Sequence, residues 1–209
     1  MDILLSLAAV SALLIGNELW FRKRNRSQEH SRKLIHIVVG SFIAFWPLFL
    51  SWNMIRLISL AFLIAVVISK ALNLFASIHE VERFTLGEVG FAVSVGLVSF
   101  ITTSKGIYAV SILQMALADG LAAVVGLRFG KSNHYHVLSS HTKSVIGTTT
   151  FFVCSLMIVA VARVALFIHV PWGTLISASV AVTIIENLAV YGLDNLLVPV
   201  AFALILTFA

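Results

Sequence analysis

Apolar runs close to twenty residues long recur from one end of this chain to the other. They restrict what it can fold into more than any other feature. The runs fall at about 2–21, 34–51, 54–72, 86–102, 106–128, 147–168, 172–190 and 194–208, lengths that match a hydrocarbon core of roughly 30 Å. Inside lipid a backbone must satisfy its own N–H and C=O groups, so each run is predicted to be a helix. The expected fold class is therefore all-α: a polytopic integral membrane bundle of about eight transmembrane helices, with 1–209 as a single membrane-embedded domain. Composition agrees. The chain is 60% hydrophobic and 11% charged, too little polar surface to cover a water-soluble domain. The first run follows Asp2 and precedes its basic cluster, so it reads as a span and not as a cleaved leader. Cys154 is the one cysteine and lies inside an apolar run, which excludes a disulfide framework within the chain.

Basic residues set the predicted orientation. Arg22, Lys23, Arg24, Arg26, Arg32 and Lys33 lie between the first two runs. Lys70, Arg83, Arg128, Lys131 and Lys143 lie in or beside the third-to-fourth and fifth-to-sixth connections. With eight spans these connections share one side, and they hold eleven of the fourteen Lys and Arg residues. Arg56, Lys105 and Arg163 lie towards the other side. The positive-inside rule puts the basic connections in the cytoplasm and both termini outside. The formal net charge of +5 is then explained by topology and by anionic lipid or substrate phosphates, with no nucleic-acid partner. Trp20, Trp46, Trp52 and Trp172 fall near the ends of runs, where aromatic anchors are expected.

Carboxylates are costly inside a span, at least roughly 2.5–3.5 kcal/mol each on insertion scales, so each is a candidate functional group. Glu18, Glu88, Asp119 and Glu186 lie in or at the ends of runs, and Asp194 sits at a boundary. In the assigned topology all five lie towards the cytoplasmic side, together with Lys131 and Lys143. That combination is suited to a metal–phosphate site, because carboxylates hold Mg²⁺ through few direct bonds while nucleotide phosphates complete its shell. A single acid in this setting is as readily an interfacial ion-pair partner; the set as a whole is not.

The stretch "GLRFGKSNHYH" looks like a phosphate-binding P-loop, but only three residues separate Gly126 from Gly130 where four are required. Asp119, Ala123, Gly126 and Gly130 instead share one helix face, and small residues so spaced allow close helix packing. Downstream, "HTKSVIGTTTFF" puts Lys143 and Ser144 just ahead of Gly147 and Thr148 at the start of the sixth run. A helix N-terminus with a Lys and hydroxyls beside it suits an anion, though Ser and Thr are also ordinary helix starts. Arg32, His36 and Gly40 recur at spacings of four on entry to the second run, with Lys33 beside them. His36 is a candidate phosphate contact or acid/base group, against the plainer reading of a basic flank with an incidental histidine. His134, His136 and His141 match no standard zinc spacing.

Taken in order, "RKLIHIVVG", "TLGEVGF", "LADGLAAVVGLRFGK", "HTKSVIGT" and "ENLAVYGLDNLLVP" resemble the signature segments of the CTP-dependent polyprenol, phytol, dolichol and diacylglycerol kinases. These are polytopic proteins related to phosphatidate cytidylyltransferases. The resemblance runs from about Arg32 to Pro199, and the short chain is most like the phytol kinase-like members. The longer cytidylyltransferase signature near the C-terminus is absent. The resemblance implies transfer of the γ-phosphate of CTP to a lipid alcohol, with Mg²⁺ as cofactor. It implies catalytic roles for Asp119, Glu88 and Glu186, with Asp119 and Asp194 as metal ligands. Lys131, Lys143, Ser144, Gly147, Thr148, Arg32, Lys33, His36 and Asn195 would then serve nucleotide or phosphate. Phosphatidate cytidylyltransferase and a cation- or proton-coupled transporter are the alternative readings; the placing of the acids at one face favours the enzyme.

Overall fold

The computed structural model describes residues 28–72, 86–130, 132–137, 141–165 and 168–209, with isolated positions 12 and 16. The expected first span, 2–21, lies outside the described residues apart from those two positions. The helices are α1 Gln28–Ala44, α2 Trp52–Leu72, α3 Gly87–Ile101, α4 Lys105–Leu113, α5 Gly120–Phe129, α6 Val145–Val164, α7 Trp172–Leu188 and α8 Asp194–Thr207. A π-helical turn, Gln114–Asp119, joins α4 to α5, so that Lys105–Phe129 is one continuous apolar helix. Between α5 and α6 stands an antiparallel hairpin of β1 His134–Val137 and β2 His141–Ser144. An otherwise all-α fold thus carries a small two-stranded element where only a loop was expected.

Three helices are long and apolar enough to cross a membrane: Trp52–Ser69, Lys105–Phe129 and Val145–Val164. Lys33–Leu48, Gly87–Ile101, Trp172–Leu188 and Asp194–Thr207 are apolar but shorter. Against the expectation of about eight spans, the described residues hold these three full-length helices and four shorter apolar ones. The shortening has local causes. Near the end of the 34–51 run, Pro47 lacks an N–H, and after α1 the chain tightens into a 3-10 turn, Trp46–Leu48. Trp46 is consequently packed in the core at 3% exposure, which corrects its expected role as an interfacial anchor. At the other end of the chain α7 stops at Leu188, and Tyr191 (φ 58°) and Gly192 (φ 82°) turn the backbone through the left-handed region into α8. That region costs a tyrosine about 1–3 kcal/mol, so its surroundings must hold it there. Here the Leu86 N–H donates to the Tyr191 carbonyl at 2.8 Å and ties the turn to the start of α3.

Lys105–Phe129 is the axis of the bundle, with 56% of its apolar stretch buried against 17% for α2 and 28% for α6. α1 and α6 pack on it directly, and α8 bridges it to α3 and α7. One core gathers Phe151, Leu175, Val182 and Phe202; a second gathers Ile55, Val98, Tyr108 and Ile112. Outward faces are apolar as well. Val153, Met157, Val161 and Val164 form an exposed stripe on α6, and Ile176, Val180, Ile184 and Leu188 form one on α7. Continuous exposed stripes at helical spacing are what a lipid-facing surface requires and water does not tolerate. The chain is a membrane protein.

The glycine face read from the sequence is a packing face. A Cβ on Gly126 would lie 3.3 Å from the Gly147 Cα and 3.0 Å from the Ser144 Oγ, and a Cβ on Gly147 would lie 3.3 Å from the Ala122 carbonyl oxygen. α5 and α6 therefore meet almost backbone to backbone. The Ser144 Oγ accepts from the Gly147 N–H at 3.0 Å and caps α6 at the same spot. Gly126→Val should lower the melting temperature in detergent by about 5 °C, from an overpacking cost of about 1–3 kcal/mol. Val161→Ala, on the outward stripe of α6, should move it by less than a degree or two, as read by circular dichroism.

Candidate active site

Asp119 ends the π-helical turn on the axial helix, Glu186 lies in the last turn of α7 and Asp194 opens α8. A carboxylate oxygen from each of the three lies within 4.8 Å of the others. Each position follows from local structure. The left-handed turn at Tyr191–Gly192 reverses the chain after α7 and starts α8 at Asp194. The π-turn widens the axial helix by one residue per turn where Asp119 leaves it, a local irregularity that often accompanies function.

Two ammonium groups neutralise much of this charge. Lys33, near the start of α1, places Nζ 2.9 Å from the Asp119 Oδ2. Lys143, on β2, forms a close ion pair with the Glu186 Oε1 and also donates to the Glu186 carbonyl at 3.0 Å. The His36 Nε2 donates to the Met115 carbonyl of the π-turn at 3.1 Å and lies 3.9 Å from the Asp119 Oδ2. With all five ionised, three carboxylates and two lysines leave a formal charge of −1. The Glu186 Oε2 is buried and has no hydrogen-bond partner. An all-oxygen donor set with a spare buried carboxylate oxygen and residual negative charge fits a hard divalent cation.

These groups line a cavity of about 380 Å³, bounded by Lys33, Asp119, Lys143, Ser144, Glu186 and Asp194 among others. That is within the roughly 300–1,000 Å³ typical of small-molecule sites. Its remaining walls are Ala122, Ala123, Gly126 and Leu127 of α5, Gly147 and Thr148 of α6, and His134 and Thr142 of the hairpin. The cavity thus joins a polar, charged wall to an apolar helix face.

Of the residues singled out in the sequence, Asp119, Glu186, Asp194, Lys33, Lys143, Ser144, Gly147 and Thr148 all line this cavity, and His36 stands against Asp119. Two do not. Glu88 lies in the first turn of α3, outside the cavity lining. Asn195 turns its side chain to the start of α3, where Nδ2 donates to the Gly87 carbonyl at 3.0 Å. Lys131 lies outside the described residues, and so does the side chain of Arg32. Tyr135 and Asn187 were not read from the sequence. The Tyr135 hydroxyl lies 2.6 Å from the Asn187 Oδ1 and 2.5 Å from the Thr148 Oγ1, and the Thr148 Oγ1 lies 3.0 Å from the same Asn187 oxygen. Both residues stand inside segments quoted above. Neither carries charge, so the cost argument that flags a buried carboxylate does not flag them.

Fold and site together define a polytopic helical membrane protein with an acidic, lysine-bracketed cavity at one end of its bundle. The chain is 32% identical to the phytol kinase of Synechocystis sp. over 209 residues, spanning 94% of this chain and 86% of that protein. It is 28% identical to a probable chloroplastic phytol kinase of Triticum aestivum over 228 residues, spanning 97% of this chain and 74% of that protein. This chain belongs to the phytol kinase family. No family model matches it, and no solved structure matches it.

The Lys33–Asp119 pair is mostly buried, with side-chain exposures of 16% and 6%. Removing one partner strands the other's charge. Lys33→Met alone should therefore destabilise the protein by about 3 kcal/mol. The double variant Lys33→Met/Asp119→Asn should recover most of that loss in denaturant unfolding in detergent, giving a coupling energy between about 0.5 and 3 kcal/mol.

Proposed function

We propose that this chain is a CTP-dependent lipid-alcohol kinase that transfers the γ-phosphate to the hydroxyl of an isoprenoid alcohol such as phytol, at the cytoplasmic face of the membrane. Membership of the phytol kinase family supports phosphorylation of a lipid alcohol. CTP as donor follows from the motif resemblance, and the cytoplasmic placing from the positive-inside reading. The observation that carries the proposal is the meeting of Asp119, Glu186 and Asp194 between Lys33 and Lys143 in one cavity at an end of an apolar bundle. There a soluble nucleotide and a membrane-dissolved alcohol meet.

Phosphoryl transfer depends on positioning and charge neutralisation more than on covalent chemistry by the protein. Lys143, with Lys131 in the same connection, would hold the triphosphate. The small residues Gly126 and Gly147 keep the floor of the cavity close to backbone and leave room for phosphate oxygens. Asp119 and Asp194 would hold Mg²⁺, and the ion when bound would neutralise charge on the phosphates. Glu186, whose Oε2 is uncommitted, would orient the alcohol and take its proton. Lys33 and His36 hold Asp119 in place on one side.

Purified protein given phytol and labelled CTP should yield phytyl phosphate and CDP. Pyrophosphate as the released product would instead identify cytidylyl transfer. EDTA should abolish turnover and Mg²⁺ restore it. Asp119→Asn should lower kcat by roughly 10²-fold or more while leaving the protein folded. An Asp119→Asn variant with full activity would sink this site assignment.

A further inference from the structure

The hairpin supplies Lys143, and something must hold the hairpin. In its register Tyr135 is the cross-strand partner of Lys143. Directly paired residues project from the same face of an antiparallel ribbon, so the phenol and the ammonium travel together. They grip two consecutive residues at the end of α7: Lys143 takes the side chain and carbonyl of Glu186, and the Tyr135 hydroxyl takes the Oδ1 of Asn187 at 2.6 Å. Asn187 is itself fixed, because its Nδ2 donates to the Thr183 carbonyl at 3.0 Å. Thr148, in the first turns of α6, closes the group at 2.5 Å from the tyrosine oxygen and 3.0 Å from the asparagine oxygen. One hydroxyl thus ties the hairpin to α7 and α6 together. A two-stranded ribbon is marginal by itself and needs such docking to hold a fixed position.

We propose that Tyr135 is a positioning residue: through Asn187 and Thr148 it seats the hairpin so that Lys143 meets both Glu186 and the phosphates of the nucleotide. This rests on the kinase reading above. Loss of the phenol oxygen leaves the ring in place but frees the strand that carries Lys143. A displacement of about 1 Å at a charged group that must align on phosphate is enough to cost up to 10²-fold in rate.

The test has two independent readouts. In phytol and CTP kinetics, Tyr135→Phe should lower kcat/KM for CTP about tenfold or more and leave KM for phytol within twofold. Asn187→Leu, which leaves the tyrosine's contact with Thr148, should lower it by no more than Tyr135→Phe does, and the double variant should be no worse than Tyr135→Phe alone, because that change already removes the Tyr135–Asn187 link. His136→Ala, exposed on the same strand, should be neutral. Separately, competitive acetylation of intact protein read by mass spectrometry should show Lys143 several-fold more reactive in Tyr135→Phe than in the unaltered chain. Unchanged Lys143 reactivity, or additive losses in the double variant, would overturn the proposal. Absence of any alcohol phosphorylation by the unaltered protein would count against the kinase reading, and the acetylation result would still decide the role of Tyr135.

Discussion

Buried carboxylate charge, and the means of neutralising it, organises the rest of this molecule. Asp119 is only 4% exposed and Glu186 5%, in a bundle with apolar outward stripes on its helices. Neither can stand there alone, because an unpaired charge in such surroundings costs several kcal/mol. Lys33 and Lys143 answer that cost from two different parts of the chain, the start of α1 and the second strand of the hairpin. The pairing therefore dictates where α1 must begin against the axial helix and where the hairpin must dock against α7. It also leaves the cluster one positive charge short of balance. The resulting donor set is all-oxygen with residual negative charge, the chemistry that a hard cation fits.

Irregular backbone is the second device. A regular bundle would present side chains only from helix faces. Here the π-turn at Gln114–Asp119, the left-handed turn at Tyr191–Gly192 and the hairpin each depart from the helix at the cavity or beside it. Non-helical backbone in an apolar bundle survives only where its polar groups are met. The Met115 carbonyl is met by His36, the Tyr191 carbonyl by the Leu86 N–H, and the Glu186 carbonyl by Lys143. The groups that satisfy the backbone are in two of these cases the same groups that hold the carboxylates. Structural support and charge placement are thus one set of contacts on the polar side of the cavity. Its other side, Ala122 to Leu127 on α5, is apolar and kept low by small residues.

Much of this was legible in the residues. Hydropathy marks helices because lipid admits no unsatisfied backbone, and seven of the expected runs correspond to apolar helices, three of full length. Acids inside apolar runs stand out because their cost is a property of residue type, so Asp119, Glu186 and Asp194 could be named in advance. The glycine face of α5 could be named from its spacing, and its partner, the start of α6 at Gly147, could not. Glu88 carried the same mark as the acids that converge, yet it does not line the cavity. Cost identifies a buried polar group but is silent about its direction. Tyr135 and Asn187 carried no mark, since neutral hydrogen-bonding groups change nothing in hydropathy or charge. The hairpin was missed for a related reason: four-residue strands in a polar connection have too short a pattern to be seen.

Local chemistry therefore decided which segments are helices and which residues are too costly to be idle. It could do so because propensity, hydropathy and charge act over a few neighbouring residues or within a single helix. The tertiary structure decided which of those residues meet. Lys33 and Asp119 are 86 positions apart, and Lys143 and Glu186 are 43 apart. Contacts of that separation depend on helix rotation, on where a π-turn or a left-handed tyrosine redirects the chain, and on how closely two glycines let helices approach. Those are properties of packing among distant segments, and no short stretch of the chain contains them.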